Sequence, residues 1–305
     1  MARPDAAGRS RTQPLDVPCA PHDLEALEFT TSGGRSPTLP ALFAAAQTDA
    51  FLVMHRGTVV HERYLHGYES HVPHFNAWAA KSYIGLLAAV LADQGLFDRD
   101  APVSRYVPEF TGTAFGEARV DGLLHMGTLM SYAGRPFDKA IEARRYFVIL
   151  APQLRPYGHN GPTSIREHLA TARATGKPGT EFRYENGNVE ALAEVLRRVT
   201  GISTSTLLSE VIWSRLGAEE DACHILDSEG TEAACGGFSA TLRDVARLGE
   251  MIRCGGAIGD RQILPEASPR RSPPAPRTAT PAASASRRHP RTHQPRSRTT
   301  TSGGS

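Results

Sequence analysis

Lys81-Ser-Tyr-Ile-Gly-Leu-Leu-Ala-Ala-Val-Leu-Ala-Asp-Gln-Gly95 decides how this chain is read. The run is apolar nearly all round, as expected of a helix through the centre of a domain rather than across its surface. Gly95 stands where such a helix ends in a left-handed turn. A lysine at the head of this helix is costly to desolvate, so it needs a reason to be there. Two readings are open. The amine can sit one turn from a nucleophile and take its proton, its proton affinity lowered by burial. Alternatively, its aliphatic stem lies on the helix while its head reaches water. The entering residues, Asn76-Ala-Trp78-Ala-Ala, put Trp78 three positions before Lys81 on the same helix face.

Upstream, Ala50-Phe-Leu-Val-Met-His-Arg-Gly-Thr-Val-Val-His-Glu-Arg-Tyr64 predicts a β-hairpin turning at Arg56-Gly57. Pro40 to Gln47 predicts a helix with proline in its first turn. Downstream, Asp98 to Phe110 reads as a proline-punctuated loop and Val120 to Met126 as a short helix. Ser164 stands three residues before Glu167, the spacing of a capping box. Lys177 to Tyr184 is a turn followed by an extended run, leading through Tyr184-Glu185-Asn186 into an amphipathic helix over Asn188–Val199. A tyrosine there is well placed to shuttle protons; the plainer reading is a core tyrosine bonded to a backbone carbonyl. Ser203–Leu216 and Thr241–Cys254 read as further helices. Gly236 to Gly249 holds a glycine turn, a cap at Ser239 or Thr241, and Asp244 in the first helical turn, a structural role.

Composition excludes several classes. No stretch approaches the roughly 18 apolar residues of a membrane span, and the N-terminus lacks the apolar core of a secretory signal. Cys19, Cys223, Cys235 and Cys254 show neither CxxC spacing nor a disulfide framework, which favours incidental or buried thiols and a cytoplasmic location. His61 and His66 flank Glu62, but on a hairpin with alternating faces they read as solvated positions rather than metal ligands. Scans for HExxH, GxSxG, Walker and GxGxxG patterns are negative. After Leu264 no Val, Ile, Leu, Met, Phe, Tyr or Trp occurs in 41 residues, which hold eight Arg against one Glu. That segment cannot bury enough apolar surface to offset about 1–2 kcal/mol of backbone entropy per residue. Three parts follow: a loose extension over 1–38, a globular domain over 39–264, and a disordered tail over 265–305.

In order, the hairpin, the Lys-Ser helix, the Tyr-x-Asn loop and the Gly-Gly-x-Ser-x-Thr-x-Arg-Asp-x-Ala-Arg helix resemble the penicillin-recognising serine hydrolases. That family includes class C beta-lactamases, related esterases and the 6-aminohexanoate-dimer hydrolases, and the chain looks nearest the last branch. The resemblance covers about Ala50 to Leu264. It implies an α+β, beta-lactamase-like fold: an antiparallel sheet flanked by helices, plus a helical lobe. It also implies acyl transfer from an amide, lactam or ester to water by a Ser-x-x-Lys pair with a tyrosine, and no metal or organic cofactor.

Carried over by residue, Lys81 matches the motif lysine, Tyr184 the tyrosine and Asn186 the Tyr-x-Asn asparagine, which would support the substrate or the loop. Two departures stand out. The serine's position is taken by Trp78, and Ser82 points about 100° away from Lys81 around the helix. The late strand that supplies an oxyanion donor is absent before the tail begins. Hydrolysis is therefore expected to be impaired. An inactive remnant or binding protein is the main alternative, and non-specific nucleic-acid contact through the arginine-rich tail a weaker one.

Overall fold

A computed structural model of the chain describes residues 17–132 and 146–264. The hairpin forms as β1 (Ala50–His55) and β2 (Thr58–Tyr64), antiparallel, with Ala50 opposite Tyr64 and His55 opposite Thr58. Arg56 and Gly57 both take positive φ, +50° and +81°. That pair is the two-residue turn whose twist matches the strands. The register shifts between Val53 and Met54, leaving Val60 as the extra residue of a bulge. Within the stretch expected to be loose, residues 18–22 run alongside β2. Ala20 N–H donates to Val59 O at 2.9 Å, and His22 N–H donates to the carbonyl of the bulged Val60 at 2.7 Å.

The helices follow the apolar pattern. These are α1 (Leu39–Ala46), α2 (Ala80–Asp93), α3 (Val120–Leu124), α4 (Ile165–Ala170) and α5 (Asn186–Thr200). Next comes a composite helix α6 over Thr204–Leu208, Ser209–Trp213 and Ser214–Leu216, then α7 (Leu242–Arg253). The middle piece of α6 is a π-turn, which the sequence did not announce; Ser214 Oγ donates to Ser209 O at 2.7 Å within it. Helix α2 packs against α5. Its Ile84, Leu87, Val90 and Leu91 enter one core with Val189, Leu192, Val195 and Leu196 of α5. Each such side chain contributes about 1.5–3 kcal/mol on burial.

Caps fall where the side chains suggested. Ser164 Oγ accepts from Glu167 N–H at 3.3 Å, although the Glu167 carboxylate reaches Thr163 N–H rather than Ser164. Thr241, not Ser239, caps α7. Asp244 does more than face a helix dipole: fully buried, it accepts from Glu219 N–H, Glu220 N–H and Arg247.

The remaining strands are short: β3 (His74–Phe75), β4 (Met130–Tyr132), β5 (Ala172–Ala174), β6 (Cys223–His224), β7 (Phe238–Ala240), β8 (Ala257–Ile258) and β9 (Arg261–Gln262). All pairings between these named strands are antiparallel, and among the described residues they form three small sheets, four with the β1–β2 hairpin, rather than one. Among those residues β1 pairs with no strand but β2, although it is almost wholly apolar and none of its residues is buried. One expectation fails. His61 is buried, not solvated, because its ring packs edge-on to Phe51 and its Nδ1 lies 3.3 Å from His22 O; His66 is exposed. No described helix is long and apolar enough to cross a membrane. The reading of the tail over 265–305 lies outside the described residues.

Candidate active site

The chain enters α2 through β3 and a tight 3-10 turn, Ala77–Ala79. Ala77 takes φ +46°, a left-handed conformation that costs an alanine about 1–2 kcal/mol. That strain falls one residue before Trp78, where the motif departs from its expected spacing. The entry is pinned from both sides: Asn76 N–H donates to Phe238 O at 2.9 Å, and Tyr83 Oη donates to Asn76 Oδ1 at 3.0 Å.

Lys81 does not reach out to water. Its Nζ donates to Asn186 Oδ1 at 2.8 Å and to Cys235 O at 2.6 Å. The same atom lies 4.9 Å from the Trp78 ring centre and 5.3 Å from that of Tyr184. Burial is the main influence on this amine and holds it below the ordinary lysine range, partly offset by Cys235, Glu190 and Glu185. Ser82 is exposed, on another face of the helix.

Tyr184 and Asn186 arrive together because they flank the start of α5. Glu185 caps that helix by accepting from Gly187 N–H at 3.3 Å, and Asn186 is its first residue. Tyr184 is 49% exposed, so it is no core tyrosine. Burial, then the nearby Cys235 and Glu185, raise its phenol above the ordinary range. It is therefore a protonated hydroxyl, not a resident phenolate.

The sequence reading missed what holds the far side of the amine. Glu190, fully buried on α5, accepts from Ala234 N–H at 3.1 Å and from Cys235 N–H at 2.9 Å. Tyr146 Oη also donates to Glu190, and Cys235 Sγ lies 3.1 Å from that hydroxyl. These bonds fix the 234–236 segment so that its carbonyl meets Lys81. Burial pushes the Cys235 thiol well up, so it is an inert thiol whose backbone matters. No short motif links residues 44 or 45 apart in sequence, although a glutamate on the apolar side of an amphipathic helix was a signal.

Trp78 occupies the helix face where a serine was expected. Its ring lies so near Gly236 that a Cβ there would meet ring carbons at 2.7 Å, so a side chain at 236 would have to displace the indole. No cluster of metal-ligating side chains occurs among the described residues.

Lysine, tyrosine and asparagine converge at a central helix, the arrangement the motif order implied. The beta-lactamase family model matches residues 41–292. This chain belongs to the beta-lactamase family. It is 34% identical over 230 residues to the 6-aminohexanoate-dimer hydrolase of Paenarthrobacter ureafaciens, across 75% of this chain and 58% of that protein. A Bacillus anthracis structure provisionally named a 6-aminohexanoate-dimer hydrolase superposes with TM-score 0.78 at 33% identity, covering 85% of this chain and 67% of that one. The octameric penicillin-binding protein homologue from Pyrococcus abyssi shares the fold at TM-score 0.56 and 18% identity, over 75% of this chain and 56% of its own. The family fold and the 6-aminohexanoate-dimer hydrolase branch stand as the sequence suggested, and the chain spans little more than half of that curated relative.

Proposed function

We propose that this chain carries the proton-handling half of a serine hydrolase site for small amides, lactams or esters and lacks its nucleophile. Lys81 would take the proton of an attacking hydroxyl, Tyr184 would relay it to the leaving group, and Asn186 would orient the amine and the substrate. The observation that carries this reading is Lys81 Nζ held between Asn186 Oδ1 and Cys235 O beside the Tyr184 ring. Its likeness to 6-aminohexanoate-dimer hydrolase supports the amide class.

One observation favours a second reading, a site that binds without hydrolysing. Trp78 fills the face beside Lys81 and rests on Gly236, so no hydroxyl stands where attack would begin. The test is p-nitrophenyl ester hydrolysis by the chain as it stands, by Lys81→Ala, and by a variant with one serine inserted between Trp78 and Ala79. The unaltered chain should match Lys81→Ala, since loss of a nucleophile from a cooperating set costs several orders of magnitude. The insertion should raise turnover only slightly, and in a Lys81-dependent way, because loss of an oxyanion donor by itself costs about 10²–10³ in turnover. A burst from the unaltered chain that vanishes in Lys81→Ala would mean that another nucleophile exists. An insertion that folds yet gives nothing would favour the binding reading.

A further inference from the structure

Proton transfer does not use everything the geometry gives Lys81. A neutral amine has two N–H donors and one lone pair, whereas an ammonium has three donors and none. Two acceptors sit within hydrogen-bond distance of Nζ, Asn186 Oδ1 and Cys235 O, and both belong to uncharged amides. They take both donors of the neutral amine, and among the described residues no carboxylate pairs with Nζ directly; Glu185 and Glu190 act on it only through space. The Trp78 and Tyr184 rings favour the cation by about 0.5–2 kcal/mol. Burial acts the other way and holds the amine below the ordinary lysine range, offset in part by Cys235, Glu190 and Glu185. The two rings, 46% and 49% exposed, flank the amine and remain open to solvent.

We propose that Lys81 is a carbonyl-capturing amine, forming imines with small uncharged aromatic aldehydes that pack against Trp78 and Tyr184. The nitrogen lone pair adds to the carbonyl carbon while the carbonyl π pair moves to oxygen. A proton from nitrogen passes to that oxygen through the Tyr184 hydroxyl, giving a carbinolamine. Loss of the second N–H proton with the hydroxyl, as water, leaves the C=N bond. No oxidant or reductant is consumed. Glu185 and Glu190 nearby disfavour an anionic aldehyde. The step needs no serine, so it does not depend on the hydrolytic reading.

The test uses the full chain, benzaldehyde and cyanoborohydride, which reduces any imine to a stable secondary amine. The chain has three lysines, Lys81, Lys139 and Lys177, each distinguishable by peptide mass spectrometry. At neutral pH Lys81 should be modified about tenfold faster than exposed Lys177, the equivalent of about 1.4 kcal/mol from two aromatic contacts. Its rate should rise with pH and level off, and 4-carboxybenzaldehyde should react more slowly. Lys81→Arg should lose this adduct while Lys177 is still labelled. Trp78→Leu should slow capture of benzaldehyde but not of formaldehyde. Lys81 modified no faster than Lys177 overturns the proposal, whatever the ester assay gives and whether or not the variants fold. Equal losses of benzaldehyde and formaldehyde in a folded Trp78→Leu overturn the aromatic preference.

Discussion

Glu190→Ala should be among the most damaging single changes in the chain, for reasons that can be counted. The carboxyl group is fully buried and accepts from Ala234 N–H, Cys235 N–H and Tyr146 Oη. Its removal leaves three buried donors without an acceptor, each worth about 1–3 kcal/mol. With some relaxation or entry of water, the expected loss is about 3–5 kcal/mol, a large part of the roughly 5–15 kcal/mol that holds a domain together. Glu190→Gln keeps the shape and one acceptor oxygen but turns an amide N–H2 toward donors, so about 1–2 kcal/mol is expected. Urea unfolding followed by circular dichroism reads this directly: at a slope of about 2–3 kcal/mol per molar, Glu190→Ala should lower the midpoint by about 1–2.5 M. The change should reach the site as well, because the Cys235 carbonyl that receives Lys81 is set by the same bonds. A midpoint shift below about 0.3 M, on the same slope, would refute the idea that Glu190 anchors this segment.

Two further outcomes follow from the packing. Gly187→Ala should destabilise the start of α5 by about 2 kcal/mol or more, because a Cβ there would lie 2.2 Å from Tyr132 Oη and 2.5 Å from Phe115 Cζ; a thermal melt unchanged from the parent would contradict it. Acid should unfold the protein through Glu194 and Glu232. Burial pushes both up, but Arg197, Arg166 and Arg198 around Glu194, and Ser205 with Arg197 around Glu232, hold both below the ordinary value of about 4.5. Their stabilisation is complete above that value and lost as pH falls through the lowered folded values. Melting temperatures that stay flat as pH drops from about 5 to 3 would rule them out as contributors.

Much of this architecture could be read from local pattern. The hairpin, α2, the capping serine at 164 and the start of α5 each depend on neighbours within a few residues. Tyr184 and Asn186 could be named because the Tyr-x-Asn spacing survives, and Lys81 because it heads the central apolar helix although its serine is missing. Other features depend on contacts that no window contains. The bulge at Val60 exists with a backbone partner at His22, and the buried His61 needs Phe51 across the hairpin. The π-turn of α6 accompanies Trp213 packed edge-on to Tyr83 and Phe238. Two-residue strands such as β3 and β6 carry no period to detect. Cys235 was judged by its thiol, when its contribution to the site is a carbonyl.

The parallel run of residues 18–22 along β2 limits how this chain can meet a copy of itself. Backbone groups on the outer side of β2 already bond to Pro18, Ala20 and His22. Among the described residues no strand or segment covers β1 in the same way. A strand added from another molecule would meet an occupied ladder at Val59 and Val60 but open backbone groups along β1. The segment 18–22 thus guards one side of the hairpin's turn end against edge-to-edge pairing and leaves the guarding of β1 to other parts.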